Sequence, residues 1–481
     1  MRRKPNSITG FIGRFVFGYI TTTPVILLIC GALFYRRFEA VAALPILAIG
    51  WAVVVAATAL TARRAWLAVL LGVTLFLIGG HILTGALLQE RLTKLGSINY
   101  GSDDDYYIRM TQVMRPGIRA EPLNLSAHWN NVREQDRSVI AVSLRGYPFV
   151  LAYLFAWLPD DTNLHYIAAV CVNIILLCLL YLAAYQVASR ICGPVDPLLL
   201  LLVFAPICLN LFMETSQCRK DVILNLLVFI ACACIAPRVA SDGKIRVWPI
   251  VMLIILSLAL LTIRPVYIIL PLVMLGALHI GRLQKLPTAY LLLSICMALA
   301  VFWFFYTSDF SLREIDLLAG RYGQNQIVLT SGGITSRIYA LPLIGPFLYY
   351  LFLPFPRFDA NIFSIEAGVT NVTFITVLVA VIYIFFNFKI IWRNAGLRSM
   401  VVLVVAFIFM TDVGATLLKD PDPRYKAALL PFLCVLAFCA CVLSYRRRSG
   451  QRRAKNHLLD RPDCDENLRG GEPRMNTDGH G

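Results

Sequence analysis

Apolar runs long enough to cross a membrane recur along almost the whole chain. One covers 11–34 and another 163–189, and similar runs follow one another up to position 445. A helix needs about 20 consecutive apolar residues to cross the hydrocarbon core of a bilayer. Because 58% of the 481 residues are hydrophobic and only 15% are charged, the chain is predicted to be an integral membrane protein with about a dozen crossings.

Span lengths and the distribution of Lys and Arg together predict a topology. Basic residues in short loops mark the cytoplasmic side of a membrane protein. With the basic segment after position 445 placed in the cytoplasm, the pattern predicts twelve crossings and two cytoplasmic termini. The crossings lie near 11–34, 41–62, 65–88, 163–189, 197–213, 221–236, 247–263, 265–280, 287–306, 368–388, 399–414 and 427–445. The predicted fold class is therefore all-α, a polytopic membrane helical bundle over residues 1–445.

Residues outside the predicted crossings form two long outward loops and a tail. The loops are 89–162 and 307–367, and their short apolar stretches, 147–158 and 342–354, are expected to form interfacial or re-entrant helices. Residues 446–481 are polar and basic, and we predict a disordered cytoplasmic tail. The adjacent Arg36 and Arg37 do not fit this topology, which places them outside.

The net charge of +16 has a membrane explanation. Much of the excess lies beside predicted spans and in the tail, where it favours anionic lipid headgroups. No recognisable nucleic-acid-binding fold or aromatic interleaving accompanies it, so no nucleic-acid partner is expected. Most of the thirteen cysteines lie inside apolar runs, without a CxxC pair or a Cys/His ligand spacing. The pattern therefore indicates neither a zinc site nor a disulfide framework.

The predicted topology brings most of the conspicuous charged residues to the outward face. Ionisable groups at membrane depth cost roughly 2.5–3.5 kcal/mol each, so they usually pair or line a functional cavity. The acidic members, Asp103, Asp104 and Asp105, are followed by Tyr106 and Tyr107. The candidate binding residues are Arg109, Arg145, Arg219, Lys220, Arg264, Tyr267, Arg321, Arg337, Arg424 and Lys426.

The three consecutive aspartates are the candidate catalytic residues. An acceptor hydroxyl needs a base near the lipid surface, and neighbouring carboxylates raise one another's pKa toward a useful range. Asp103 and Asp104 are also candidate oxygen ligands for a divalent cation such as Mg²⁺ or Mn²⁺. The alternative is that these acids only cap the helix that follows, since Asp is common at helix starts.

The basic residues suit the recognition of a lipid phosphate. Arginine binds phosphate through a planar fork, and lysine supplies a compact charge. Arg264 and Pro265 interrupt an otherwise apolar stretch from 248 to 281, which makes Arg264 the leading candidate. The alternative is that long basic side chains reach the headgroup layer without binding anything. For 219–221, together with Glu214, the alternative is a self-neutralising set at a helix start.

These motifs resemble those of the GT-C superfamily of polytopic glycosyltransferases, which includes protein mannosyltransferases and aminoarabinose transferases. The resemblance covers roughly 89–445. It implies an outward acid that serves as base or metal ligand, here within Asp103–Asp105 with Asp104 preferred, and a polyprenyl-linked sugar donor. One departure is that the acidic motif follows the third predicted span, whereas the family usually carries it after the first. The quoted motifs are SDDDYY at 102–107, RGYP at 145–148, RKD at 219–221, RP at 264–265 and DPRY at 422–425.

The expected function is transfer of a sugar from a polyprenyl phosphate to an envelope glycan, lipid or protein, on the outer face of a bacterial inner membrane. One alternative is an oligosaccharide repeat-unit polymerase, which is similar in its number of spans and its outward arginines. Arg321 is followed eleven positions later by Gly332, a spacing similar to that of some such polymerases. An alternative of another class is a transporter or lipid-linked glycan flippase, which would spread polar residues through both halves of the membrane.

Overall fold

A computed structural model describes residues 8–62, 65–98, 102–124, 146–217, 219–239, 247–282, 364–418 and 427–459. Within those ranges every element of secondary structure is helical, as the composition predicts. The first half holds α1 (Ile8–Tyr35), α2 (Val41–Thr61), α3 (Trp66–Leu95), α4 (Ser102–Ala120), α5 (Gly146–Leu154), α6 (Thr162–Cys192), α7 (Pro197–Ile207) and α8 (Asn210–Thr215).

The remaining described helices follow a similar alternation of long and short elements. They are α9 (Asp221–Arg238), α10 (Val247–Ile263), α11 (Ile269–Arg282), α12 (Ile365–Phe386), α13 (Phe388–Arg393), α14 (Ala395–Leu418) and α15 (Leu430–Leu459).

Seven helices in the described part are long and apolar enough to cross a membrane: α1, α2, α3, α6, α9, α12 and the first part of α15. They coincide with seven of the twelve predicted crossings. The predicted total of about twelve is not confirmed, because α7, α10 and the apolar part of α14 are shorter than a full span. The crossing predicted at 287–306 and the short stretch at 342–354 lie outside the described residues.

Proline or a turn breaks the helix inside one predicted crossing and between two others. The stretch 197–213 divides into α7 and α8, and α7 contains Pro206 one residue before its end. The stretch 247–280 breaks at Arg264, as predicted, and a short 3₁₀ turn (Pro265–Ile268) leads into α11. Proline lacks the N–H that an uninterrupted helix requires, so both breaks have a local cause.

The described part of the predicted loop 89–162 is largely helical. Helix α3 continues to Leu95, α4 lies entirely within the loop, and α5 is the short helix expected near 147–158. The last helix, α15, ends at Leu459 and so continues past position 446, where a disordered tail was predicted to begin. Its basic side chains belong to a helix that extends beyond the apolar span.

Helix α6 is the centre of the bundle. Most of its side chains are buried, and α2, α3, α9 and α15 pack against it. Asp161 caps it, with Oδ1 accepting from the backbone N–H of Asn163 at 2.8 Å and of Leu164 at 3.2 Å. A spanning helix that is buried on all sides contacts protein rather than lipid, so α6 orders the helices around it.

The described carboxylates concentrate at one of the two ends of α6, which are about 45 Å apart at 1.5 Å per residue. Near its beginning, the Tyr166 hydroxyl donates to the Ser216 carbonyl at 2.8 Å. At its end, Arg446 donates to the carbonyl of Cys192 and, at 2.7 Å, to that of Pro194. Among the described acidic side chains only Asp196 lies at the Arg446 end. We call the two ends the acidic end and the basic end.

Gly80 lets three helices approach closely in the middle of the bundle. A Cβ atom at this position of α3 would lie 2.7 Å from Phe212 Cε1 of α8 and 3.3 Å from Ile174 Cγ2 of α6. Gly80→Ala is therefore expected to lower the free energy of unfolding by roughly 1–3 kcal/mol, the usual cost of overpacking. Thermal unfolding in detergent would measure it.

The neighbouring Gly79 provides the matched control. It is exposed, and a Cβ atom there would meet nothing within 4 Å. Gly79→Ala should leave the unfolding temperature unchanged or raise it slightly, since alanine favours a helix by up to about 1 kcal/mol. Equal effects of the two substitutions would contradict the close packing around Gly80.

Candidate functional site

The turn between α8 and α9 is held by side chains from two long helices. Arg91 of α3 is buried and donates to the Ser216 carbonyl at 2.6 Å and to its hydroxyl at 2.8 Å. Tyr166 donates to the same carbonyl, and Asn173 Nδ2 donates to the Arg219 carbonyl at 3.1 Å. The backbone of the turn is therefore fixed from outside, which places the side chains at 219–221 accurately.

Charged side chains pair across this turn. Arg219 Nη1 lies 3.4 Å from Glu214 Oε2, and Arg264 Nη1 lies 3.3 Å from Asp221 Oδ1. Both carboxylates are buried, and the two arginine side chains are 16% and 19% exposed. A buried charge is costly unless it is paired. Lys220 is also buried, so these five side chains carry three cations against two carboxylates and an excess of one positive charge.

Lys220 connects the turn to α4. Its Nζ lies 5.9 Å from the centroid of the Tyr107 ring, a cation–π distance. The Tyr107 ring packs edge-on against Tyr147 of α5 at 5.5 Å, and the Tyr147 hydroxyl donates to Asn173 Oδ1 at 3.2 Å. One Asn173 side chain therefore contacts both the tyrosine pair and the backbone of Arg219.

The three aspartates form the first turn of α4, which begins at Ser102. They directly precede Tyr106 and Tyr107 in the chain, so the backbone carries them to the side of the bundle where Lys220 lies. Within α4, the structure describes side chains only from Tyr106 onward. The roles of base and metal ligand for Asp103, Asp104 and Asp105 therefore stay predictions.

The start of α5 lies unusually close to the end of α10. A Cβ atom at Gly146 would lie 2.6 Å from the Thr262 hydroxyl and 3.1 Å from its carbonyl oxygen. Only glycine permits this approach without displacing α10. The contact brings Tyr147 close to Arg264, which follows Thr262 by two residues.

Two arginines attach the second half of α4 to the connection between α5 and α6. Arg115 is buried and donates to the Phe155 carbonyl at 2.9 Å, to Asp160 Oδ1 at 2.6 Å and to the Leu158 carbonyl. Arg119 donates to the same Leu158 carbonyl at 2.7 Å. Burial lowers the pKa of Arg115, the charge of Arg119 lowers it further, and Asp160 opposes both effects. The position of α4 thus depends on a fully enclosed guanidinium.

The predicted binding residues divide into three groups. Arg219, Lys220, Arg264 and Tyr267 lie together at the acidic end, where the Arg264 guanidinium lies 5.9 Å from the Tyr267 ring centroid. Arg109 is on the exposed face of α4. The others lie outside the described residues: Arg145, Arg321, Arg337, Arg424 and Lys426.

The contacts bear on two alternative explanations of the basic residues: a self-neutralising set at a helix start, and long side chains that only reach the headgroup layer. Glu214 and Arg219 neutralise each other, as that alternative supposes, but Asp221 pairs with Arg264 of another helix. Arg264 therefore makes a specific ion pair instead of only reaching toward headgroups.

Arg91 and Asn173 were missed as members of the site. Asn173 had a sequence signal, because a polar amide in the middle of an apolar span usually has a partner. Arg91 had a weaker one: it follows an apolar run already long enough to cross the membrane, so it resembled a solvated residue at a helix end.

Among the described side chains no group of three or more His, Cys, Asp or Glu residues is arranged to hold a metal ion. That search does not include the side chains of Asp103 and Asp104, so the divalent cation stays a prediction.

The fold and the site define a class of protein: a membrane-embedded helical protein with a buried, paired charge cluster at one end of the bundle. No family model matches the chain, and no curated protein or solved structure is significantly similar to it.

Proposed function

We propose that the protein is a membrane-embedded glycosyltransferase. It would move a sugar from a polyprenyl-phosphate donor to an envelope glycan, lipid or protein acceptor. The observation that carries this proposal is the contact between Lys220 and Tyr107 at 5.9 Å, because it joins a buried cationic cluster to the helix whose first turn is Asp103–Asp105. The proposal thus assigns a phosphate-binding group and a candidate base to the same end of the bundle.

The cluster of basic side chains at the turn suits a lipid phosphate. Lys220 and Arg264 neutralise the phosphate of the donor, and Arg424 and Lys426 are candidates for the same role. An enclosed, preorganised cation stabilises charge that develops on a leaving group far better than water does. The ring of Tyr107 and the Asp221 carboxylate position the two cations.

The proposed reaction needs one base. A carboxylate of Asp103–Asp105, with Asp104 preferred, takes the proton of the acceptor hydroxyl. The acceptor oxygen forms a bond to the anomeric carbon, the bond from that carbon to the phosphate oxygen breaks, and polyprenyl phosphate leaves with the electron pair. Holding donor and acceptor together supplies much of the rate enhancement. A divalent cation held by Asp103 and Asp104 would add further charge neutralisation at the phosphate.

The distribution of charge supports an outward-facing site. Arg14, Arg190, Arg238 and Arg446 lie at the basic end, where Arg14 donates to the Ala59 carbonyl and Arg190 to the Cys234 carbonyl. By the positive-inside rule that end faces the cytoplasm. The acidic end then faces outward, with both termini in the cytoplasm and the protein in a bacterial inner membrane.

Reconstitution of the purified protein with a panel of polyprenyl-linked sugars and envelope-glycan acceptors would test the proposal, with mass spectrometry of the released lipid. We expect release of polyprenyl monophosphate by the unmodified protein and none by the variant with Asp103, Asp104 and Asp105 all changed to Asn. Release of the diphosphate with chain growth would instead indicate a repeat-unit polymerase. Absence of turnover across a panel on which a known transferase works would favour a transporter or flippase.

A further inference from the structure

A shallow, open cavity lies at the acidic end, outside the charge cluster. It has a volume of about 350 Å³ and lies between the connection from α1 to α2, the last turns of α3 and the beginning of α12. Its lining residues include Arg37, Gln89, Glu90, Thr93, Lys94 and Ile365. It includes one of the two arginines that did not fit the predicted topology.

The cavity presents basic groups that are only partly engaged. Arg37 donates from Nε to Gln89 Oε1 at 3.1 Å, and its terminal nitrogens make no hydrogen bond to a described residue. Lys94 Nζ lies 2.6 Å from Glu90 Oε1, and its side chain is 49% exposed. The terminal fork of Arg37 and the Lys94 ammonium together form a set of donors that fits phosphate oxygens.

Glu90 is the residue that limits the positive charge of this cavity. Its Oε1 engages Lys94, and its Oε2 accepts the backbone N–H of Glu366 at 3.3 Å. The carboxylate therefore joins α3 to the start of α12 and at the same time competes with any other anion for Lys94.

The cavity lies at the depth of lipid headgroups. Helix α3 has 30 residues and is about 45 Å long, whereas the hydrocarbon core is about 30 Å thick, so its last turns extend beyond the core. Below the cavity, Ile82 of α3 and Val372 of α12 are 52% and 43% exposed. A molecule with a phosphate head at Arg37 and Lys94 would lay its apolar tails on these side chains.

We propose that this cavity binds the phosphodiester headgroup of an anionic phospholipid from the surrounding bilayer. Arg37 binds the phosphate through its terminal nitrogens, and Lys94 contributes further donors. The same turns of α3 carry Arg91, which fixes the Ser216 carbonyl at 2.6 Å, so a bound lipid would brace the helix that positions the charge cluster. The proposal goes beyond the glycosyltransferase function and does not depend on it.

Native mass spectrometry of the detergent-purified full-length protein would test this site. Phosphatidylglycerol is the anionic probe, phosphatidylcholine the zwitterionic comparison and inorganic phosphate the source of the headgroup charge alone. We expect retention of one phosphatidylglycerol, with weaker binding of phosphatidylcholine and no measurable binding of free phosphate. Comparable binding of phosphate alone would overturn the assignment of a lipid site, as would equal retention of the two lipids.

Three single variants make the test specific to this cavity. Arg37→Ala should weaken phosphatidylglycerol binding roughly fivefold to tenfold. Arg36→Ala should leave the binding unchanged, because Arg36 is an exposed neighbour that does not line the cavity. Glu90→Gln keeps an oxygen that can accept from Glu366 but releases Lys94, so binding should tighten severalfold.

The gain expected for Glu90→Gln separates lipid binding from structural damage, because a variant that merely unfolds would lose binding. Equal losses for Arg36→Ala and Arg37→Ala would show diffuse attraction to a basic surface and would overturn the proposal. Unchanged or weaker binding by Glu90→Gln in a protein of normal stability would also overturn it.

Discussion

Arg115→Ala is expected to lower the free energy of unfolding by about 3 kcal/mol, because the guanidinium joins α4 to the connection between α5 and α6. Its removal leaves the Phe155 carbonyl without its side-chain donor and opens space in a closely packed region. The Phe155 carbonyl still accepts the Leu158 N–H at 3.0 Å, so the loss comes from the deleted charge-assisted hydrogen bonds, worth roughly 1.5–3 kcal/mol, and from the cavity that remains. Chemical or thermal unfolding in detergent would measure the loss, and proteolysis after Arg119 would show whether α4 has detached.

Asp160→Asn is the control for this prediction. The Asp160 side chain is 76% exposed, and asparagine keeps an oxygen that can accept from Arg115 Nη1, so the substitution removes the charge but not the hydrogen bond. The control should therefore change stability little, even though Asp160 lies 2.6 Å from the same guanidinium. A loss equal to that of Arg115→Ala would mean that the ion pair, and not the enclosed carbonyls, holds α4 in place.

Lys220→Met is expected to reduce sugar transfer by roughly 10²–10³-fold if the proposed function holds. Methionine retains an unbranched apolar side chain of similar length but removes the charge that would neutralise the donor phosphate. Loss of one preorganised electrostatic group typically costs a factor of this size. The turnover number and the apparent donor affinity should both fall, because the phosphate is bound before and during the reaction.

The stability of the variant distinguishes this effect from misfolding. Thermal unfolding of Lys220→Met in detergent would show whether the variant folds, and transfer rates are compared only under conditions in which both proteins are folded. Lys389→Met serves as the matched control, since Lys389 is exposed at the basic end and touches none of the proposed machinery. Transfer at the unmodified rate by Lys220→Met, with Asp103–Asp105 still required, would remove Lys220 from the donor site.

The long apolar helices and the helix break at Arg264 follow from local sequence. A spanning length and a low charge are almost sufficient to identify a membrane helix. Pro265 accounts for the break after Arg264. The interruption at Cys208 was harder to predict, because Pro206 lies inside an apolar run of nearly spanning length, and a proline in a membrane helix often only kinks it. Hydropathy measures length and polarity, not the continuity of backbone hydrogen bonds.

The candidate site was predictable only in part. The predicted topology placed Arg219, Lys220 and Arg264 on the same face of the membrane. In the structure these three side chains lie at one end of the bundle. The contact between Arg91 and Ser216 joins residues 125 positions apart. No spacing pattern in the sequence encodes such a partner, because it depends on how complete helices pack.

The ion pair between Asp221 and Arg264 has a consequence for how the protein is made. The two residues are 43 positions apart, on α9 and directly after α10. During synthesis Asp221 therefore reaches the translocation machinery well before its partner, and a chain that ends after α9 carries the carboxylate without the guanidinium. The cluster is completed only when α10 has been inserted beside α9. We therefore expect insertion of this region to be cooperative, with a later helix stabilising an earlier one.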